Sequence, residues 1–295
     1  MVAATSSSKF YTYLALGSGV FIIGFSPIFV RLADAPGTIT AFYRIAIAAV
    51  LIALPFLQQV KIQEKQLPRR GVWLALLGGL FFGLDLAFWS TGIVLSGATN
   101  PTLMANTAPI WVGLGALLIF REQQNTAFWI GLVMAMVGAA IVLGEDLSRA
   151  SNLGLGTFFG LLAAIFYGAY YLVTERGRTS LNTLTYFWLT MMSASLLLLV
   201  VNLIFGNAFT GYSSNTYLIF LTVGVVVQAV GWMVINYAQG YLPASVVAPT
   251  LLGQPVVTAL FAGPLLSETL SVWHIAGGVI VLAGVYLVHR SRRKT

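Results

Sequence analysis

The chain contains no cysteine, and Asp, Glu, Lys and Arg together make up only 8% of its 295 residues. Without cysteine there is no disulfide framework and no thiolate chemistry. With so few charges the chain cannot solvate the surface of a soluble domain, which carries roughly 25% charged residues. Histidine is nearly absent too. His274 and His289 both fall near predicted helix ends with no second ligand at metal spacing, so neither a metal nor any other cofactor is expected. No GxxxxGK[ST] pattern occurs, which excludes ATP as a direct drive.

Apolar sequence fills the chain instead, with 58% hydrophobic residues. A membrane span needs about 20 mostly apolar residues to cross about 30 Å of hydrocarbon. Apolar runs and the breaks between them predict ten spans: Tyr13–Leu32, Thr38–Leu57, Gly71–Leu95, Thr99–Phe120, Thr126–Gly144, Gly154–Thr174, Thr183–Phe205, Thr216–Gly240, Ala244–Leu266 and Ser271–His289. All must be helical, because an open strand edge is not tolerated in lipid. The fold class expected is an all-α membrane protein. The apolar run after Lys9 is long enough to span and reads as an uncleaved first helix rather than a secretory signal.

The net charge of +7 is explained by topology rather than by nucleic acid. With the N-terminus inside, Lys9, Lys61, Lys65, Arg69, Arg70, Arg121, Arg176, Arg178 and the basic tail Arg290–Lys294 share one side. Only Arg31 and Arg149 fall on the other. Cytoplasmic loops attract Lys and Arg in this way, so both termini are expected in the cytoplasm.

The sequence also repeats. Pro109, Glu122, Gly131 and Gly138 match Pro255, Glu268, Gly277 and Gly284 at an offset of 146 (255 − 109). Earlier in each copy the offset falls to 144, where Gly24 matches Gly168. The expected units are residues 1–148 and 149–295, five helices each. An odd count inverts the second unit relative to the first, the architecture of many secondary transporters.

Charge inside a span costs at least about 2.5–3.5 kcal/mol. Arg44 and Asp85 alone fall clearly within predicted spans. At 1.5 Å per residue, Arg44 lies about 9 Å from one face and Asp85 about 21 Å from the other. In a core of about 30 Å these depths coincide, so an Arg44–Asp85 pair is geometrically allowed, as a static lock or as part of a solute site. Trp89 shares the Asp85 face at i+4, and Gln228, Trp232 and Asn236 occupy the matching face of the eighth span. Their amides suit either a polar path or interhelical hydrogen bonds.

Pro27, Pro109 and Pro255 are among the prolines inside predicted spans, with Asn106 and Gln254 close to the last two. A helix-interior proline frees a carbonyl and favours a bend. Tyr167, Tyr170, Tyr171, Tyr186 and Trp188 suggest an aromatic lining suited to an apolar group or to a cation over a ring face. Glu122 and Glu268 precede helices, where acids interact well with the N-terminal dipole. Gly131, Ala135, Gly138, Gly277 and Gly284 suit close helix packing, within the chain or between two copies.

The segments TLMANTAPIWVGLGALLIFRE (Thr102–Glu122) with WIGLVMAMVGAAIVL, GQPVVTALFAGPLLSETLSVWHIAGGVIVLAGVYLV (Gly253–Val288) and AFYRIAIAA resemble the EamA family of the drug/metabolite transporter superfamily. The resemblance implies a ten-helix carrier of the bacterial inner membrane, often an exporter of amino acids or related metabolites. The second half departs from the pattern, with Trp188 where Arg44 would repeat.

The function expected is therefore secondary transport of a small organic metabolite by alternating access. A carboxylate would suit Arg44, an ammonium Asp85, and proton coupling would fall to Asp85. A lipid-headgroup or lipid-linked translocator is the alternative within transport. A membrane enzyme is disfavoured, since it would need more titratable groups within reach of one another.

Overall fold

The structure, a computed structural model, describes residues 6–63, 67–96, 99–147, 154–266 and 271–291. Lys65, Arg149, Glu268, Arg292, Arg293 and Lys294 lie outside these residues. Among them every regular element is helical: α1 (Ser6–Ile23), α2 (Ser26–Leu32), α3 (Gly37–Gln63), α4 (Arg69–Ser96), α5 (Thr99–Ala105), α6 (Ala108–Phe120), α7 (Thr126–Leu147), α8 (Leu155–Gly177), α9 (Thr183–Ile204), α10 (Ser214–Thr222), α11 (Trp232–Gln239), α12 (Ala244–Thr250), α13 (Gln254–Leu266) and α14 (Val272–Ser291). A π-helical stretch, Val223–Gly231, joins α10 to α11, and a 3₁₀ turn, Leu251–Gly253, joins α12 to α13.

Nine helical stretches of the described residues are long and apolar enough to cross a bilayer. The tenth expected span is shorter. Among the described residues its apolar run is Thr126–Val142, about 26 Å at 1.5 Å per residue. Large apolar side chains such as Val50, Leu118, Val272 and Val279 face outward, as a lipid-contacting surface requires.

Three spans are interrupted. α1 gives way to α2 at Gly24–Phe25 and α5 to α6 at Asn106–Thr107, with Pro27 and Pro109 in the first turn of the restarted helix. The α12–α13 span carries Pro249 and then its 3₁₀ turn just before Pro255. A proline lacks the N–H that would continue the ladder and its ring crowds the preceding turn, so each restart is a local consequence of sequence. The first break is docked from outside, because the Thr258 hydroxyl donates to Gly24 O at 2.6 Å.

The two halves interlock rather than form separate lobes. α3 packs on α9 and α7 on α14, so segments at equivalent places in the two halves meet. α4 lies along α8, while α11 lies along α1. Glycines set the closest approaches. A Cβ at Gly138 would stand 2.6 Å from Val281 N and 2.7 Å from Gly277 O. The glycine stripe of α7 and α14 is thus consumed within one chain. Gly138→Val should therefore force backbones apart and destabilise the protein by about 3 kcal/mol or more. Thermal unfolding of detergent-solubilised protein checks this, with an unshifted midpoint contradicting it.

Candidate functional site

Two buried charges, Arg44 of α3 and Asp85 of α4, and the buried amide of Gln228 in the π-helical stretch form the candidate centre. Arg44 and Asp85 are each only 6% exposed. Arg44 Nε donates to Gln228 Oε1 at 3.0 Å, and Nη1 donates to Ser26 Oγ at 3.3 Å. Gln228 in turn directs Nε2 at Met191 Sδ, 3.2 Å away. Arg44 is therefore held by neutral acceptors on α2 and the π-helical stretch, not by a direct bond to Asp85. The two charges attract each other through the interior at longer range, and Tyr167 lies within the same field.

The π-helical backbone places Gln228 at this point. Its extra residue per turn shifts the side chains that follow, and such segments recur at functional sites. Gly224 lets the stretch close on α3, since a Cβ there would come 2.7 Å from Ile47 Cβ. Gly231 does the same for α1, with Ile22 Cγ2 at 2.9 Å.

An aromatic cluster borders the charges. Tyr171 Oη donates to Tyr167 Oη at 2.7 Å. Trp232 packs on Phe82 with ring centroids 4.9 Å apart and on Tyr167 and Tyr170 at 6.0 Å. Edge-on and tilted packing of this kind favours electron-rich faces beside polarised edges. An ammonium group brought into this cluster would meet both ring faces and a carboxylate.

The other residues singled out by sequence sit around this centre, not within it. Trp89 Nε1 donates to Thr102 Oγ1 at 3.0 Å, and Asn106 Nδ2 donates to Thr102 O at the same distance. Together they brace the α5–α6 break, where a cavity of about 240 Å³ is bordered by Asn106, Thr107 and Met136. Trp188 Nε1 donates to Ala49 O at 3.0 Å, and its ring stacks on Phe56 at 4.0 Å, tying α9 to α3. Gln254 opens α13 half-buried beside the 3₁₀ turn.

Three groups gain weight only in three dimensions. Ser26 is the second acceptor for Arg44. Gln239 lies fully buried at the end of α11. Arg178, beyond the end of α8, donates to Asn236 O at 3.1 Å, to Thr183 Oγ1 at 2.7 Å and to Leu181 O. Burial lowers its pKa to about 10, which still leaves it charged at neutral pH. Gln239 continues the Gln228, Trp232, Asn236 row by one helical step, a spacing visible in sequence. The acceptors that Arg178 finds are mostly backbone carbonyls, which no side-chain pattern announces.

The two ends of α9 are fastened differently. At its start sit Arg178 and, from α8, Glu175 Oε2, which accepts from Ala244 N at 2.7 Å. At its end Asn202 Nδ2 donates to Thr38 O at 3.0 Å and Asn207 Nδ2 donates to Thr38 Oγ1 at 3.1 Å. On α9 the fastened residues Thr183 and Asn202 lie about 29 Å apart at 1.5 Å per residue, one near each end of the span.

Comparison with known proteins places this architecture among carriers. The model of the EamA-like transporter family matches the chain twice, over residues 10–144 and 154–290. An uncharacterized transporter of Archaeoglobus fulgidus is 25% identical over 95% of this chain and 97% of its own length. An uncharacterized transporter of Clostridium kluyveri is 22% identical over 84% of this chain and 82% of its own length. Uncharacterized transporter YoaV of Bacillus subtilis is 23% identical, covering 94% and 91%. A crystal structure at 14% identity superposes with a TM-score of 0.80, covering 96% of this chain and 98% of that one, a likeness of fold alone.

Proposed function

The chain belongs to the EamA-like transporter family, and on that premise we propose that it is a secondary carrier of a small organic metabolite bearing a carboxylate and an ammonium. Arg44 would receive the carboxylate, while Asp85 and the faces of Tyr167 and Trp232 would receive the ammonium. The observation that carries this reading is the separation of the two buried charges. Arg44 is oriented by neutral partners, and the Asp85 carboxylate acts on it only at longer range. A direct ion pair would have to be broken before a solute could bind, and breaking a buried pair costs about 3–5 kcal/mol. A pair already held apart by Gln228 and Ser26 avoids that cost. A zwitterion between them supplies each with its complement.

Ten crossings, five in each direction, with both termini in the cytoplasm, would let the halves exchange conformations about this centre. Arg176 in the last turn of α8 and Arg178 just beyond it support a cytoplasmic side for that turn. The family resemblance favours export from the cell across its inner membrane.

Liposome flux tests the proposal. Purified protein should exchange a labelled amino acid across the bilayer and leave an equally sized neutral sugar behind. Discrimination of about tenfold or more is expected from one charged hydrogen bond. Equal flux of both solutes, or flux of neither from a panel of amino acids and related zwitterions, would remove the basis for this substrate class.

A further inference from the structure

One row of side chains runs from the central charges toward the membrane face at the α8–α9 turn. Gln228, Trp232, Asn236 and Gln239 succeed one another at helical spacing on a single face. Gln228 is fully bonded within the centre. The next two amides are not. Asn236 is 0% exposed and Gln239 2%, yet both amide atoms of each side chain lack a hydrogen-bond partner among the described groups. Tyr170 Oη, equally buried, stands near the Asn236 and Thr174 side chains but outside hydrogen-bonding geometry with both. Buried polar groups in folded proteins are nearly always bonded, and an amide aimed into apolar surroundings is among the costliest side chains to leave alone. Asn236 and Gln239 lie about one turn apart on α11, beyond Gln228.

The same place carries a closure. Arg178 reaches over the end of α11, where it holds Asn236 O, and ties that end to Leu181 and Thr183 at the start of α9. Gly240 makes room for the guanidinium, because a Cβ there would stand 2.5 Å from Arg178 Nη2. On the next segment Glu175 Oε2 accepts from Ala244 N. The turn of α8–α9 is thus bolted to the turn of α11–α12 directly beyond the unbonded amides.

We propose that Asn236, Gln239 and the Tyr170 hydroxyl form a second, uncharged polar station on the solute route, between the Arg44–Asp85 centre and the membrane face of the α8–α9 turn, and that Arg178 is the latch that seals it. The station takes neutral hydrogen-bonding groups, solute hydroxyls and amides together with the water that accompanies them. Four amide atoms offer both donors and acceptors, whereas a charge would find no counter-charge on these three side chains. Opening the latch hydrates the station, and closing it confines the solute to the charged centre. This inference rests on the reading of the chain as an alternating-access carrier, but its tests need no knowledge of the transported solute.

The absence of native cysteine makes labelling clean. Gln239→Cys in the full-length protein, reconstituted in vesicles, should react slowly with a cationic methanethiosulfonate. Adding Arg178→Gln, which removes the charge-assisted bonds, should speed that reaction about tenfold, and only from the face bearing the α8–α9 turn. Gly240→Ala, which pushes the guanidinium aside without deleting it, should act in the same direction and serves if Arg178→Gln does not fold. Unchanged labelling in both backgrounds, or labelling from the opposite face, would overturn the proposal. A second measurement separates station from scaffold. Asn236→Leu and Gln239→Met should hold or raise the thermal midpoint, since each removes an unbonded amide. Each should also slow flux of whichever solute the unaltered protein moves by about tenfold. A lowered midpoint with unaltered flux would make these residues structural and end the argument.

Discussion

Arg44→Ala is expected to abolish measurable exchange while leaving a folded protein of lower stability. The substitution removes the donor that Gln228 Oε1 and Ser26 Oγ accept from, and a cation that acts on Asp85. Truncating one partner of a buried, hydrogen-bonded charged group costs about 2–5 kcal/mol, and about 2.7 kcal/mol already corresponds to a 100-fold loss of affinity. Arg44→Lys separates the two contributions. Lysine keeps the charge but offers a point donor in place of a planar fork, so it cannot serve Gln228 and Ser26 from two edges at once. Exchange should recover only in part, with the loss expressed in apparent affinity more than in maximal rate. Flux titrations with solute, read beside the thermal midpoint, check both statements. Exchange by Arg44→Ala within twofold of the unaltered protein at saturating and limiting solute would show that Arg44 only fastens helices.

Asp85→Asn gives the second large effect. If the carboxylate carries the coupling proton, the amide removes the one buried acid among the described residues, and a pH gradient loses its purchase on transport. Accumulation driven by an imposed gradient should then fall to the level of empty vesicles. Solute-for-solute exchange, which needs no net proton movement, should persist. A zwitterionic solute would also lose its ammonium partner, a loss of about tenfold in affinity for one charged hydrogen bond. Gradient-driven accumulation retained by Asp85→Asn would exclude Asp85 as the proton carrier. Loss of exchange together with accumulation would show that the carboxylate serves binding first.

The helical elements and their breaks were legible in sequence because each has a local cause. Apolar length sets a span, and a proline interrupts a hydrogen-bond ladder one turn back. The restarts at Ser26 and Ala108 stand beside Pro27 and Pro109 for this reason. Arg44 and Asp85 were legible because charge in lipid is rare enough to stand out. The π-helical stretch was not legible at all. Nothing in VGVVVQAVG demands a wider turn; it is tolerated because Gly224 and Gly231 pack tightly on α3 and α1.

The partners of the buried groups lay beyond the sequence as well. Depth arithmetic brought Arg44 and Asp85 to one level, but distance along the normal says nothing about azimuth, and Arg44 turns to Gln228 and Ser26. Trp188, which reads as a lining residue on composition, spends its indole N–H on a carbonyl of α3. Arg178 reads as one basic loop residue among several, and only the approach of α11 gives it Asn236 O to hold.

Sequence by itself determined that this chain is a helical, membrane-embedded, internally repeated protein with two charges in its interior. Those properties follow from solvation and from hydrogen bonds between near neighbours, which act over a few residues. Tertiary structure alone decided which polar groups are bonded, which are left waiting, and which turn closes over them. The contacts that decide this include Arg44 with Gln228, 184 positions apart, and Arg178 with Asn236, 58 apart, and their geometry exists only once the helices have packed.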